Sequence, residues 1–169
     1  EIVQRGLHLV NYAWIKRRPP TGLTRIYLDA VGAKDELNLM EGLSNDKYQL
    51  PSALAPRITE AAQAGDAAAL EIMQWAGEEL GWLAVAVARQ IGKANDSVEV
   101  VQSGSVFAAG SVITEPMARV VLAHCPLAKL VRLDGPPVVG AVLLGMEQVK
   151  FDGYAVRDRM VRTAKGLVR

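Results

Sequence analysis

Only two stretches of this chain read as β-strands, and a helix-forming segment lies between them. Val98, Val100 and Val101 form a short β-branched run entered through Asn95-Asp96-Ser97, and residues 127–133 form the second candidate. Such short apolar runs have the length and character of buried strands. Consecutive strands joined by a helical crossover predict a parallel pair with a right-handed connection. Two strands are too few for a free-standing sheet of this kind. Others are expected from a partner or from chain outside this sequence.

Helical patterns account for the rest. Ile2, Val3, Leu7, Val10 and Trp14 recur at helical spacing and predict an amphipathic helix ending before Pro19-Pro20, where the chain can no longer donate. Thr21 or Thr24 can cap a short helix carrying Leu23, Ile26, Tyr27 and Val31, closed near Gly32. Further helices are predicted over residues 35–43 and 51–64, separated by the turn Ser44-Asn45-Asp46, with Gly65 as a C-terminal cap. Asp66 opens the longest segment, which runs to about Ile91 with Leu70, Met73, Leu80, Leu83, Val87 and Ile91 as its apolar face. A helix apolar over so much of its circumference is expected to be buried between layers. Gly77 and Gly81, one turn apart, would let another backbone approach it closely. Past the first strand a helix is predicted over residues 113–124, with Pro116 in its first turn. Another follows over 138–149, after the turn Asp134-Gly135-Pro136-Pro137. The tail, 154–168, is predicted helical with Val156, Met160, Val161, Ala164 and Leu167 on one side. These elements read as one lobe over residues 1–150 and a basic helical tail over 151–169.

Composition narrows the partners. Half of the 169 residues are hydrophobic and 22% are charged, enough for one domain with a core, and the formal charge of +1 gives no reason to expect a polyanion. Residues 150–169 hold six basic and two acidic side chains, a surplus of four that leaves the remaining chain at −3. A basic terminal helix of this kind reads as a solvated face, so neither nucleic acid nor membrane is expected as a partner. No leader peptide or membrane-length apolar run is visible, which makes a cytoplasmic protein the default expectation. The chain opens on Glu1 and not on methionine, as a fragment or trimmed product would. Cys125 is the one cysteine. It excludes an internal disulfide, supplies no metal site, and reads as a small core or loop residue.

The segment with chemical content is Val100-Val101-Gln102-Ser103-Gly104-Ser105-Val106-Phe107. A strand that ends in small residues and turns into a helix presents free backbone N–H groups at its carboxyl end, where open α/β sheets bind ligands. Gly104 removes a side chain that would keep a flat ring or ribose off the backbone. Ser105 offers a hydroxyl. The residues alone leave open whether this turn serves packing or a ligand.

The order and residues of the chain resemble the C-terminal part of the BadF/BadG/BcrA/BcrD ATPase family, which includes N-acetylglucosamine kinases and belongs to the actin-like sugar kinase and Hsp70 superfamily. The matching stretches are Pro19-Pro20-Thr21-Gly22-Leu23-Thr24, Ala64-Gly65-Asp66, Ser103-Gly104-Ser105-Val106-Phe107 and Pro136-Pro137-Val138-Val139-Gly140-Ala141, spread over residues 2–148. The fold this implies is α/β and mostly helical: a truncated C-terminal lobe of an RNase H-like fold with a short parallel strand pair. The resemblance also implies that Gly104, Ser105 and Val106 lie against the adenosine of ATP. Many members have two glycines where this chain has Ser103-Gly104, so nucleotide approach at Ser103 would be tighter. The family's phosphate-binding loops and catalytic aspartate would fall upstream of residue 1, and no catalytic or metal-binding residue is assigned here. ATP and Mg²⁺ would be cofactors of the complete protein and would bind this chain weakly by itself. Its partners would be the missing N-terminal lobe, a small sugar substrate and a second copy in a homodimer.

The remaining reactive side chains read as structural. Asp134 and Asp152 sit in turn sequences. His8 and His124 are far apart, with neither a nucleophile nor an orienting carboxylate in view. Trp14, Trp75 and Trp82 read as core or interface anchors, although an exposed Trp82 would reopen a sugar-stacking role. Two other functions are compatible with the pattern. One is an ATPase activator of a radical dehydratase or reductase, whose bridging cluster needs two cysteines per subunit. The other is a non-enzymatic helical domain that dimerises through the Gly77/Gly81 face and the basic tail.

Overall fold

Asp66 shows how the helical part of the chain is assembled. A computed structural model describes residues 1–133 and 135–165, and the chain divides into two units, Glu1–Val98 with Ser105–Ala128 and Glu99–Gly104 with Lys129–Arg169. The first unit holds helices α1 (Ile2–Trp14), α2 (Leu23–Val31), α3 (Glu36–Ser44), α4 (Leu54–Gln63), α5 (Ala67–Gln90), a 3₁₀ helix (Ser105–Ala109) and α6 (Ser111–His124). The Asp66 carboxylate accepts the Ala69 N–H at 2.9 Å, capping α5. It also accepts from the Thr21 hydroxyl at 2.9 Å and the Gly22 N–H at 2.8 Å, so the start of α2 is tied to the start of α5. Thr21 in turn accepts the Leu23 N–H at 3.1 Å. Gly32, at φ +66, ends α2, and Asp35 caps α3 through the Asn38 N–H at 2.8 Å.

The core of this unit gathers Leu9, Val10, Leu23, Tyr27, Leu39, Ile58, Ile72, Met73 and Ile113. Tyr27 is fully buried, and its hydroxyl donates to the Val3 carbonyl at 2.6 Å. Gly6 makes room for that ring, since a β-carbon there would strike the Tyr27 hydroxyl.

The buried face of α5 differs from the expected one. Ala69, Ile72, Met73, Ala76, Gly77, Gly81, Val85 and Ala88 are buried, whereas Leu83, Val87 and Ile91 are 63%, 56% and 63% exposed. Small residues decide the outcome, because α6 lies almost on the backbone of α5. A β-carbon on Gly77 would collide with the Ile113 carbonyl oxygen, and one on Gly81 would sit 2.7 Å from Val120 Cβ and 2.9 Å from the Met117 carbonyl oxygen. The glycine pair is therefore used inside the chain and does not form a dimer face. Helix α6 begins at Ser111, earlier than predicted, which places Pro116 in the second turn and not the first. The ring lacks the N–H that would bond the Val112 carbonyl, but it is buried close against the Gly77 position.

The second unit holds β1 (Glu99–Gln102), β2 (Lys129–Arg132), α7 (Pro137–Gln148), a 3₁₀ helix (Tyr154–Val156) and α8 (Arg157–Lys165). The strands are parallel, with Glu99 opposite Lys129 and Gln102 opposite Arg132. The fold is thus mostly helical α/β with one short parallel pair among the described residues. Pro137 occupies the first position of α7, where its missing N–H has no intrahelical partner to lose. Met160, Val161 and Ala164 of α8 are half-buried, and Val161 Cγ1 lies 3.3 Å from a β-carbon built on Gly135. Leu167 and Asp134 fall outside the described residues. The expectation of buried strands fails: Val101 is 54% exposed and Val131 38%. Parallel strands are covered only when layers lie on both faces, and neither strand has another neighbour among the described residues. No described helix is long and apolar enough to cross a membrane.

Candidate functional site

Strand β1 ends at Gln102, the one buried polar side chain among the described residues, and the chain then leaves the sheet through Ser103 and Gly104, both exposed. Gly104 adopts φ +111, a conformation that L residues rarely take, and a β-carbon built there meets nothing within 4 Å. The spot is open. The neighbouring strand holds this turn from its own last residue. The Arg132 guanidinium donates to the Gly104 carbonyl from Nη1 at 3.3 Å and Nη2 at 3.2 Å, and from Nη1 to the Gln102 carbonyl at 3.4 Å. The Leu133 N–H adds a bond to the Gln102 carbonyl at 3.0 Å.

The predicted adenosine contacts are consecutive in the chain but divided between the units. Gly104 belongs to the strand-bearing unit, Ser105 and Val106 to the helical one. Ser105 opens the 3₁₀ helix and is exposed. Val106 is half-buried and packs with Phe107 against the helical core, so its side chain already has a structural use.

Cys125 is fully buried. His8 is exposed on α1. His124 ends α6, where its Nδ1 lies 3.2 Å from Arg89 Nη2 and its ring centroid 4.6 Å from that of Trp82. Trp82 is 43% exposed, and one side of it is occupied by His124. Trp14 and Trp75 are half-buried, and the Arg5 guanidinium stands 4.2 Å over the Trp75 ring. Asp152 accepts the Tyr154 N–H at 3.0 Å, a local turn bond that matches its reading as a turn residue. Among the described residues no group of three or more His, Cys, Asp and Glu side chains is placed to hold a metal ion.

A cavity of about 530 Å³ in the strand-bearing unit is lined by Pro136, Pro137, Val139, Gly140, Arg157 and Arg162 among others, and neither Gly104 nor Arg132 reaches it. The strand-end turn is a surface feature and not part of that cavity. Sequence reasoning missed Arg132, because its role depends on the register that sets it opposite Gln102. It also missed the tie from Asp66 to Thr21, which spans 45 positions and has no local signature. No protein-family model matches the chain, and no curated protein matches it.

Proposed function

We propose that this chain is the C-terminal, adenosine-contacting portion of an actin-like ATPase of the BadF/BadG/BcrA/BcrD type. The complete protein would be an ATP-dependent kinase for an amino sugar such as N-acetylglucosamine. The observation that carries the reading is Gly104: exposed, at φ +111, just past the carboxyl end of a parallel strand, with open space where a β-carbon would stand. A nucleoside can lie flat on backbone only where no side chain intervenes. The carboxyl edge of a parallel sheet is where such ligands collect. Exposed Ser103 precedes the glycine and supplies a hydroxyl, and Ser105 follows it in the chain. The uncovered faces of β1 and β2 support an RNase H-like origin, because a parallel pair is ordinarily the interior of a larger sheet. In this reading Mg²⁺ arrives with ATP, and the aspartate that takes the sugar hydroxyl proton lies in a lobe outside this sequence. The chain alone binds nucleotide weakly and does not turn over.

Titration of the ¹⁵N-labelled chain with millimolar MgATP tests this. Amide shifts should concentrate at residues 103–106 and disappear in Gly104→Trp. A flat response at those positions would remove the reading.

The exposed stripe of Leu83, Val87 and Ile91 on α5 favours a second reading, a helical association domain. Sedimentation should then show a dimer that Leu83→Glu dissociates, with no nucleotide response. No observation favours the activator reading, which needs two cysteines per subunit where this chain has Cys125.

A further inference from the structure

We infer that Arg132 is a positioning residue for the nucleoside-contacting turn, setting its affinity without touching the ligand; the inference rests on the reading of that turn given above. The geometry lies wholly within the strand-bearing unit. Arg132 ends β2 directly opposite Gln102, the last residue of β1, and its guanidinium spans from there to the Gly104 carbonyl. Two nitrogens converge on one oxygen, and Nη1 also reaches the Gln102 carbonyl, so the fork grips the turn at both of its ends. Hydrogen bonds from a guanidinium are charge-assisted and stronger than neutral ones.

The need for such a grip follows from the glycine itself. A residue without a β-carbon reaches φ +111 without strain, but it reaches many other conformations as readily. No side chain of Gly104 packs to choose among them. An unheld turn would have to be ordered by the ligand, at a cost in affinity. Arg132 orders it beforehand. With the Gly104 carbonyl engaged by the guanidinium, the turn offers a ligand its open face and the hydroxyl of Ser103 beside it. A lysine in the same place would keep the charge but supply a point contact and not a fork.

The test compares the wild-type chain with Arg132→Met and Arg132→Lys, each titrated with MgATP and followed through the amides of residues 103–106. Arg132→Met should weaken ATP about tenfold and Arg132→Lys about threefold, the partial rescue marking the lost fork. The ¹³C shift of the Gly104 carbonyl should move in Arg132→Met before any ligand is added, while the amide spectrum of the helical unit stays in place. Equal affinity of wild type and Arg132→Met overturns the inference alone. A wild-type chain that does not respond to ATP overturns the nucleoside reading, and the inference with it. Should Arg132→Met lose its dispersed spectrum, Arg132→Lys decides, and wild-type affinity in that variant sinks the idea.

Discussion

Two valines mark the contrast between the units. Val85, in the last third of α5, is fully buried, whereas Val101, in strand β1, is more than half exposed. The same holds more widely. Of the buried hydrophobic residues among those described, Val139 is the one that lies in the strand-bearing unit. The two regions have different requirements. Helices bury an apolar stripe against whatever helix lies beside them, and α5 and α6 meet that need locally. A parallel strand needs neighbours on both edges and layers on both faces, which a pair cannot supply. The helical unit covers its own apolar core, whereas the strand-bearing unit leaves most of its apolar side chains exposed.

The contrast is broken most severely at Gly77. Even Gly77→Ala places a methyl against the Ile113 carbonyl oxygen, a backbone atom that can retreat only if α6 does. Overpacking of this kind should cost about 3 kcal/mol in urea unfolding. A loss below 1 kcal/mol, on the order of a surface change, would mean the helices are not held at this distance.

Asp66 comes next, since it ties two helix starts together. Removing its cap and its bonds from Thr21 and Gly22 in Asp66→Ala should cost about 2 kcal/mol, and Asp66→Asn, which keeps an acceptor, should cost less. The carboxyl also sets a pH dependence. Burial opposes its ionisation, but hydrogen bonds from Ala69, Gly22, Thr21 and Ala68 outweigh that and hold its pKa below the ordinary value. A depressed folded pKa means the stabilisation is present above the unfolded value, about 3.9, and is lost as pH falls from there through the folded pKa. Asp66→Asn should flatten that acid limb of the unfolding curve, and an unchanged limb would place the acid sensitivity elsewhere. Tyr27→Phe follows at about 1 kcal/mol, from loss of the bond that its buried ring's hydroxyl donates to the Val3 carbonyl.

How much of this was legible in the sequence depended on how local each cause is. Helix ends were readable because Gly32, Asp35, Gly65 and Asp66 act within a few residues of themselves. The parallel pair was readable from two strands flanking a helix. The buried side of α5 was not, because hydrophobicity ranks Leu83 above Gly81, while the close approach of α6 reverses that order. Gly77 and Gly81 were recognised as a contact surface, but the sequence could not say that the contact is with α6. At the strand-end turn, Gly104 announced itself through its neighbours and Arg132 did not. A guanidinium 28 residues away acquires meaning only once the register is fixed.

The smallest effect separates the two units by its sign. Gly140 lies in the first half of α7, exposed, with nothing within 4 Å of the position an added methyl would take. A glycine inside a helix costs about 0.5–1 kcal/mol relative to alanine. Gly140→Ala should therefore stabilise α7 by that amount, read as slower amide exchange along the helix, whereas the same change at Gly77 destabilises. The gain should vanish or reverse in a longer protein whose added layer packs closely on α7, because the methyl would then meet a neighbour. An equal gain in both contexts would show that Gly140 stays uncovered there too.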